Sequence, residues 1–244
     1  MESIVVLLTG TIKVSNVPFL LMTDTAQRER EYYKSIQKWM SLGYPVIFCE
    51  NSNYHSEMIN ELVKDITPQK FEYLKFTTTV SHLGKGNGEA EILDYVFKHS
   101  KLIHNHTIIC KSTGKNFVSN AKQICHKVLT SPTSQSIVTA IFVRNLTMAD
   151  SRFFFFKKDF YFKYWAKYIN DIDEHHRIYL EHTLAKSIHL AIAAGEKWIL
   201  LPALPVVEGY LGTYATLYRN GFFKTRMNNL FYYIMRKWIA GKGW

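Results

Sequence analysis

Apolar residues come in two rhythms along this chain. Short unbroken runs, Ile4–Leu8 (IVVLL), Pro45–Cys49 (PVIFC) and Thr107–Cys110 (TIIC), read as strands covered on both faces. Phe71–Phe76 reads as a further short strand. Between these runs the apolar positions take helical spacing. Asp24–Ser41 has Asp24 or Thr25 as a cap and Gly43 as a stop, and Ser56–Ile66 and about Ala90–His99 also read as helices. Strand and helix therefore alternate through the first 110 residues. That order predicts an α/β fold, an open and mostly parallel sheet flanked by helices on both faces. Right-handed crossovers then gather the loops that follow the strands along one edge, where ligands of such sheets bind. Those loops carry Thr9–Thr11, Glu50–Ser52 and Lys111–Lys115.

The second half is less regular. Ser136–Val143, Arg152–Phe156 and Trp198–Leu201 read as strands, and Phe160–Ile169 and Glu174–Ala194 as helices. With no repeat and no long Pro/Gly/Ser linker, residues 1–215 read as one domain. Residues 216–244 form a basic, aromatic C-terminal segment with a helix expected over Thr225–Ala240, lying on a membrane surface or packed on the domain's own core.

Composition narrows the function classes. The 244 residues are 47% hydrophobic and 20% charged, enough for a core without disulfide or metal staples. No apolar run approaches the ~20 residues of a spanning helix. Residues 2–9 are too short for a signal peptide, so the expected location is cytoplasmic or peripheral. The +10 net charge calls for a polyanionic partner: nucleic acid, an anionic membrane, or a phosphorylated substrate. A nucleic-acid-binding protein is the alternative class, but the basic residues are spread out and match no known reader motif. The odd set Cys49, Cys110 and Cys125, without C-x-x-C spacing, reads as buried free thiols.

Four groups of residues carry candidate chemistry. Gly84, Lys85 and Gly86 open a glycine-rich segment (HLGKGNGE) ahead of a helix, where backbone and a helix N-terminus would accept an anion. Its G-x-G-x-G spacing fits neither the dinucleotide nor the phosphate-loop fingerprint, and a plain flexible loop accounts for it equally well. Lys111 and Lys115, at the ligand edge of the sheet, suit a diphosphate or a solvated loop. Glu181 falls in the middle of an apolar arc formed by Ile178, Leu184, Ala185, Ile188 and Ile192. A carboxylate placed there is either a general base or the structural partner of Arg152 or Arg177. Asp150 and Arg152 frame a turn that serves as an Asx-turn or a substrate contact. Asp171 and Asp173 form a D-x-D, but in a polar loop between helices, and the ten histidines show no metal-ligand spacing.

Taken in order, the T-G-T of Thr9–Thr11, F-C-E-N-S of Phe48–Ser52, G-K-G-N-G-E of Gly84–Glu89, K-S-T-G-K of Lys111–Lys115, D-S-R-F-F of Asp150–Phe154, I-N-D of Ile169–Asp171 and L-E-H of Leu180–His182 form a set. This set resembles bacterial glycosyltransferases that build lipopolysaccharide O-antigen or capsule, over roughly residues 3–215. The resemblance implies a GT-A-like (Rossmann-like) domain with Thr9, Gly10, Thr11 and Glu50 at the nucleotide and Glu181 as base or acceptor contact. It implies a nucleotide-diphosphate sugar as donor, a UDP-sugar first among them, and a lipid-linked or saccharide acceptor. It further implies a place at the inner face of the cytoplasmic membrane, and no nucleic-acid partner. One departure stands out: the D-x-D expected after the central strand is replaced by Lys111–Lys115. That leaves a Mn²⁺ or Mg²⁺ requirement open and lets lysines neutralise the leaving diphosphate instead.

Overall fold

A computed structural model describes residues 2–15, 21–130, 135–211, 216–217 and 229–234. The three apolar runs become β1 (Ile4–Gly10), β2 (Val46–Glu50) and β4 (Ile108–Thr113), with β3 (Phe71–Lys75) beside β2. The helices between them are α1 (Thr25–Met40), α2 (Glu57–Val63), α3 (Lys85–His99) and the short α4 (Lys101–His104). Asp24 caps α1 by accepting the Gln27 N–H, and Ser56 caps α2 through the Ile59 N–H, as their side chains are suited to do. Further on come β5 (Phe117–Val118), α5 (Ala121–Thr130), β6 (Val138–Thr139), β7 (Phe142–Val143), β8 (Met148–Ala149) and β9 (Phe153–Lys157). The described chain continues through α6 (Lys158–Phe160), α7 (Leu180–Ala193), β10 (Trp198–Ile199) and β11 (Val207–Glu208).

The fold is mixed α/β. Seven of the described strands form the central sheet in the order β10-β6-β9-β4-β1-β2-β3, parallel except for β9. Side chains alternate across it. Val5, Leu7 and Ile109 face one core with α3, α7 and the rings of Phe160, Tyr161 and Trp165, while Ile4, Val6 and Cys110 face the other with α1 and α5. The strand order reverses at β1 and β4, which places a crevice at their carboxyl ends. All three cysteines are buried and free.

Four elements differ from the sequence pattern. The glycine-rich stretch is no loop: α3 begins at Lys85, five residues earlier than the apolar spacing indicates. Phe160–Ile169 is wound unevenly, as a π turn over Tyr161–Trp165 and a 3-10 turn over Ala166–Asp171. Uneven winding aims Phe160, Tyr161 and Trp165 together into the core, with Trp165 edge-on to Phe154 at 5.7 Å. The helix expected from Glu174 starts only at Leu180. Before it Asp173 and Ile178 exchange backbone hydrogen bonds of 2.9 and 2.8 Å around a turn with Arg177 at φ +63°. Ser136–Val143 is split, because Phe142–Val143 leaves the sheet to pair with Met148–Ala149 in a hairpin. Of the C-terminal helix, residues 229–234 are helical; the rest of Thr225–Ala240 lies outside the described residues.

Candidate functional site

A polar chain crosses the carboxyl end of the sheet. Lys111 was expected in a loop, but β4 runs on through Thr113 and leaves its side chain fully buried on the α3/α7 face. Its ammonium pairs with Glu89 of α3 and donates to the Ser151 carbonyl at 2.6 Å. Glu89 also accepts the Thr9 hydroxyl at 2.8 Å, and the Ser151 hydroxyl donates to Glu181 Oε1 at 2.7 Å. Thr9, Glu89, Lys111, Ser151 and Glu181 thus form one continuous network from β1 to α7. Burial alone would raise the Glu89 carboxyl, but Lys111, Thr9 and the charge of Lys85 hold it below its ordinary value. Glu89 and Ser151 were missed as site residues; the signal was present, since Glu89 closes the glycine motif and Ser151 sits between Asp150 and Arg152.

The loop after β1 is held as firmly. Arg28 of α1 is buried and donates through Nε to the Thr11 carbonyl at 2.9 Å and through Nη1 to the Met22 carbonyl at 2.9 Å. The Thr11 hydroxyl donates to Asn51 Oδ1 at 2.6 Å, while Gly10 packs beneath Phe48 and Tyr32. Glu50 is fully buried and turns back on its own loop, accepting the Ser52 N–H at 3.0 Å and the Tyr54 N–H at 2.7 Å. Burial pushes its pKa up against the pull of these donors.

At the start of α3 the expected anion cradle exists, and the chain itself fills it. Gly84, at φ +129°, turns into the helix, and the Glu174 carboxylate accepts the Gly86 N–H. A Cβ at Gly84 would lie 2.4 Å from Glu174 Oε2, and one at Gly86 would crowd both Glu174 and Leu180. Glycine at these positions lets the carboxylate and the first residue of α7 approach the α3 backbone. Lys85 itself is exposed.

Lys115 stands apart. It is only 9% exposed, yet no described residue gives it a hydrogen bond or an ion pair. Burial, with help from the neighbouring charges of Arg28 and Lys85, lowers its pKa to about 7 against the weaker pull of Glu31 and Glu89. It lies just past β4 at the reversal of strand order and lines a cavity of about 420 Å³ with Glu31, Lys34, Ser35, Lys38, Phe117 and Glu208.

Glu181 is half-buried at the edge of the apolar face of α7, away from its centre, because Ile178 and Ile192 turn out to solvent. Its described partner is Ser151 in place of Arg152 or Arg177, and no described residue donates to its second oxygen. Asp150 closes an Asx-turn, accepting the Arg152 N–H at 3.0 Å and pairing with the guanidinium at 2.6 Å. Glu181 does not line the open cleft of about 720 Å³ between the first turns of α3 and α7, which is walled by Asn87, Asn170, Asp171, His175, His182 and Lys186. His182 Nδ1 accepts the Tyr179 N–H at 3.0 Å, so its neutral ring carries the proton on Nε2. Asp171 pairs with Lys186 at 2.9 Å and Asp173 with His176 at 2.6 Å. Among the described residues no three His, Cys, Asp or Glu side chains are grouped to hold a metal ion, and lysines stand where a D-x-D would be. The residues present therefore do not fit a divalent cation at the end of β4.

No protein-family model and no curated protein matches the chain. Among solved structures it is similar to a protein described as a nucleotide-diphospho-sugar transferase from Desulfovibrio desulfuricans G20, at 9% identity and a TM-score of 0.45 over 82% of this chain and 80% of that one. It is also similar to a glycosyltransferase involved in glycosylating the major capsid of PBCV-1 (9% identity, TM-score 0.47, 82% of each chain). A cytidylyltransferase from Leptospira borgpetersenii matches at 12% identity and a TM-score of 0.39, over 84% of this chain and 78% of that one. Likenesses this remote carry no weight about function, which the chain's own residues must supply.

Proposed function

We propose that this chain is a glycosyltransferase that moves a sugar from a nucleotide-diphosphate donor, a UDP-sugar first among candidates, to a lipid-linked or saccharide acceptor. The observation that carries the reading is Lys115: a buried ammonium that no described residue pairs, under the charges of Arg28 and Lys85, at the crevice where the strand order reverses. A buried cation left unpaired is costly, and an arriving diphosphate removes that cost. The acceptor hydroxyl attacks the anomeric carbon, and the bond from that carbon to the diphosphate oxygen breaks. Lys115 and the exposed Lys85 balance the charge that grows on the leaving group. Lys111 acts behind them, fixing Glu89 and the Thr9 end of β1. Glu181, with one oxygen oriented by Ser151, takes the acceptor's proton through the other. The backbone of Thr9–Thr11 and the Glu50 loop border the nucleoside, and Asp150 with Arg152 borders the acceptor side. Surface polysaccharide synthesis in bacteria is the setting that such a donor and acceptor suit.

Calorimetric titration with nucleoside diphosphates and nucleotide sugars tests this. Binding is expected in the wild type and weakened by about 10–100-fold in Lys115→Ala. Glu181→Gln is expected to bind donor normally and melt normally, while transfer falls by roughly 10²–10⁴. Absence of heat with every nucleotide tried would overturn the donor assignment, and normal turnover by Glu181→Gln would overturn the base.

A further inference from the structure

The carboxylates around Lys115 are already engaged elsewhere. On α1, Glu31 pairs with Lys34 at 3.1 Å. On β11, Glu208 pairs with Lys38 at 2.8 Å. On α3, Glu89 pairs with Lys111 and accepts the Thr9 hydroxyl. Among the described residues, each carboxylate near Lys115 thus has its own cation, and none is left over. The remaining charges share its sign. Arg28 spends its donors on the Thr11 and Met22 carbonyls, and Lys85 is exposed at the start of α3.

Lys115 therefore differs from the other lysines of the same cavity. The side chains of Lys34 and Lys38 are 63% and 51% exposed, and each has a carboxylate at hydrogen-bond distance. Lys115 is 9% exposed and has like charges for neighbours. Desolvation and neighbouring cations are the two conditions that leave a lysine as the free amine. Burial first, then Arg28 and Lys85, bring its pKa to about 7. A free amine keeps its lone pair and is a nucleophile, which an ammonium is not. The cavity of about 420 Å³ gives a small molecule room to reach it. The uncompensated positive charge selects the kind of molecule: an electrophile that brings its own negative charge.

We propose that Lys115 is a modification site, acylated by small acyl phosphates. The amine nitrogen attacks the acyl carbonyl carbon, and a C–N bond forms as the bond from that carbon to the phosphate oxygen breaks. The phosphate leaves with the electron pair and takes the amine proton, so nothing is oxidised or reduced. The amide that results carries no charge, and acylation thereby erases the unpaired cation. This chemistry goes beyond the nucleotide-sugar reading and does not need it.

The test treats the full native chain with acetyl phosphate at about pH 8, stops at low conversion and maps the acetylated lysines by peptide mass spectrometry. Lys115 is expected to react about tenfold faster than Lys34 and Lys38, since a group of pKa about 7 is mostly free amine at that pH and an ordinary lysine is not. Going from about pH 8 to about pH 9 should leave the Lys115 rate nearly flat, while lysines of ordinary pKa speed up about tenfold. In concentrated urea the preference should vanish, because the fold creates it. Acetylation of Lys115 no faster than of Lys34 and Lys38 would overturn the inference. So would a Lys115 rate that climbs about tenfold over that pH step, or a preference that survives in urea.

Discussion

Two lysines four residues apart have opposite fates. Lys111 ends inside the sheet with its ammonium matched by Glu89 and the Ser151 carbonyl. Lys115, past the end of the same strand, is almost as buried and has no such partner. Burial alone therefore says little about what a charged group does; the partners decide. A buried ion pair is framework, because removing either half strands the other. A buried cation that no described residue pairs is open to a ligand, because an arriving anion can satisfy it.

Breaking the framework lysine should have the largest effect. Lys111→Met leaves the Glu89 carboxylate without its counter-charge and is expected to cost about 3–5 kcal/mol. In a chain of this size that lowers the melting temperature on the order of 10 °C. Lys115→Met is expected to melt no lower than the wild type, since it removes an unpaired buried charge. If both variants lose the same stability in thermal denaturation, the contrast between the two lysines collapses.

A smaller effect sharpens the contrast through pH. The folded-state pKa of Lys115, about 7, lies below its unfolded value. Between the two values the unfolded chain binds the proton and the folded one does not, so stability contributed by this group rises with pH across that window and is lower below about pH 7. A diphosphate reverses the preference by favouring the ammonium. Titrating nucleoside diphosphate at pH 8 in buffers of different ionisation enthalpy should show uptake of about one proton in the wild type and none in Lys115→Met. Equal uptake by both would take Lys115 out of the site.

The mildest change concerns Glu174. Glu174→Gln keeps the shape of the contact at Gly86 and removes its charge, so pyrophosphate affinity should rise by a few-fold. Pyrophosphate titration of wild type and variant checks this, and an unchanged affinity would show that the carboxylate competes with no ligand.

The regular part of the fold was legible because its signals are local. Ile4–Leu8 and Pro45–Cys49 announce themselves as buried strands, and Asp24 as a cap, from their immediate neighbours. The site was legible in its residues more than in their roles. Lys111 reads as a loop lysine because three apolar residues precede it and polar ones follow; the pairing with Glu89 that draws it into the sheet depends on a helix some twenty residues away in sequence. The turn from Asp173 to Ile178 has helical spacing on paper, and what stops the helix is the reach of Glu174 to Gly86, a contact across 88 positions. Glycines at 84 and 86 look like slack in a sequence and serve here as clearance for that carboxylate.

That contact bears on how the protein meets its ligands. A carboxylate tethered to the chain and seated on the Gly86 N–H is a permanent occupant at an effective concentration of the order of millimolar or higher. Any anion that reaches the start of α3 must displace it, so the measured affinity there is an exchange constant. Glu174 sits on the turn leading into α7, between Asp173 and His175, which both line the cleft beside His182. An anion that takes the Gly86 N–H therefore competes with a residue whose own neighbours wall that cleft.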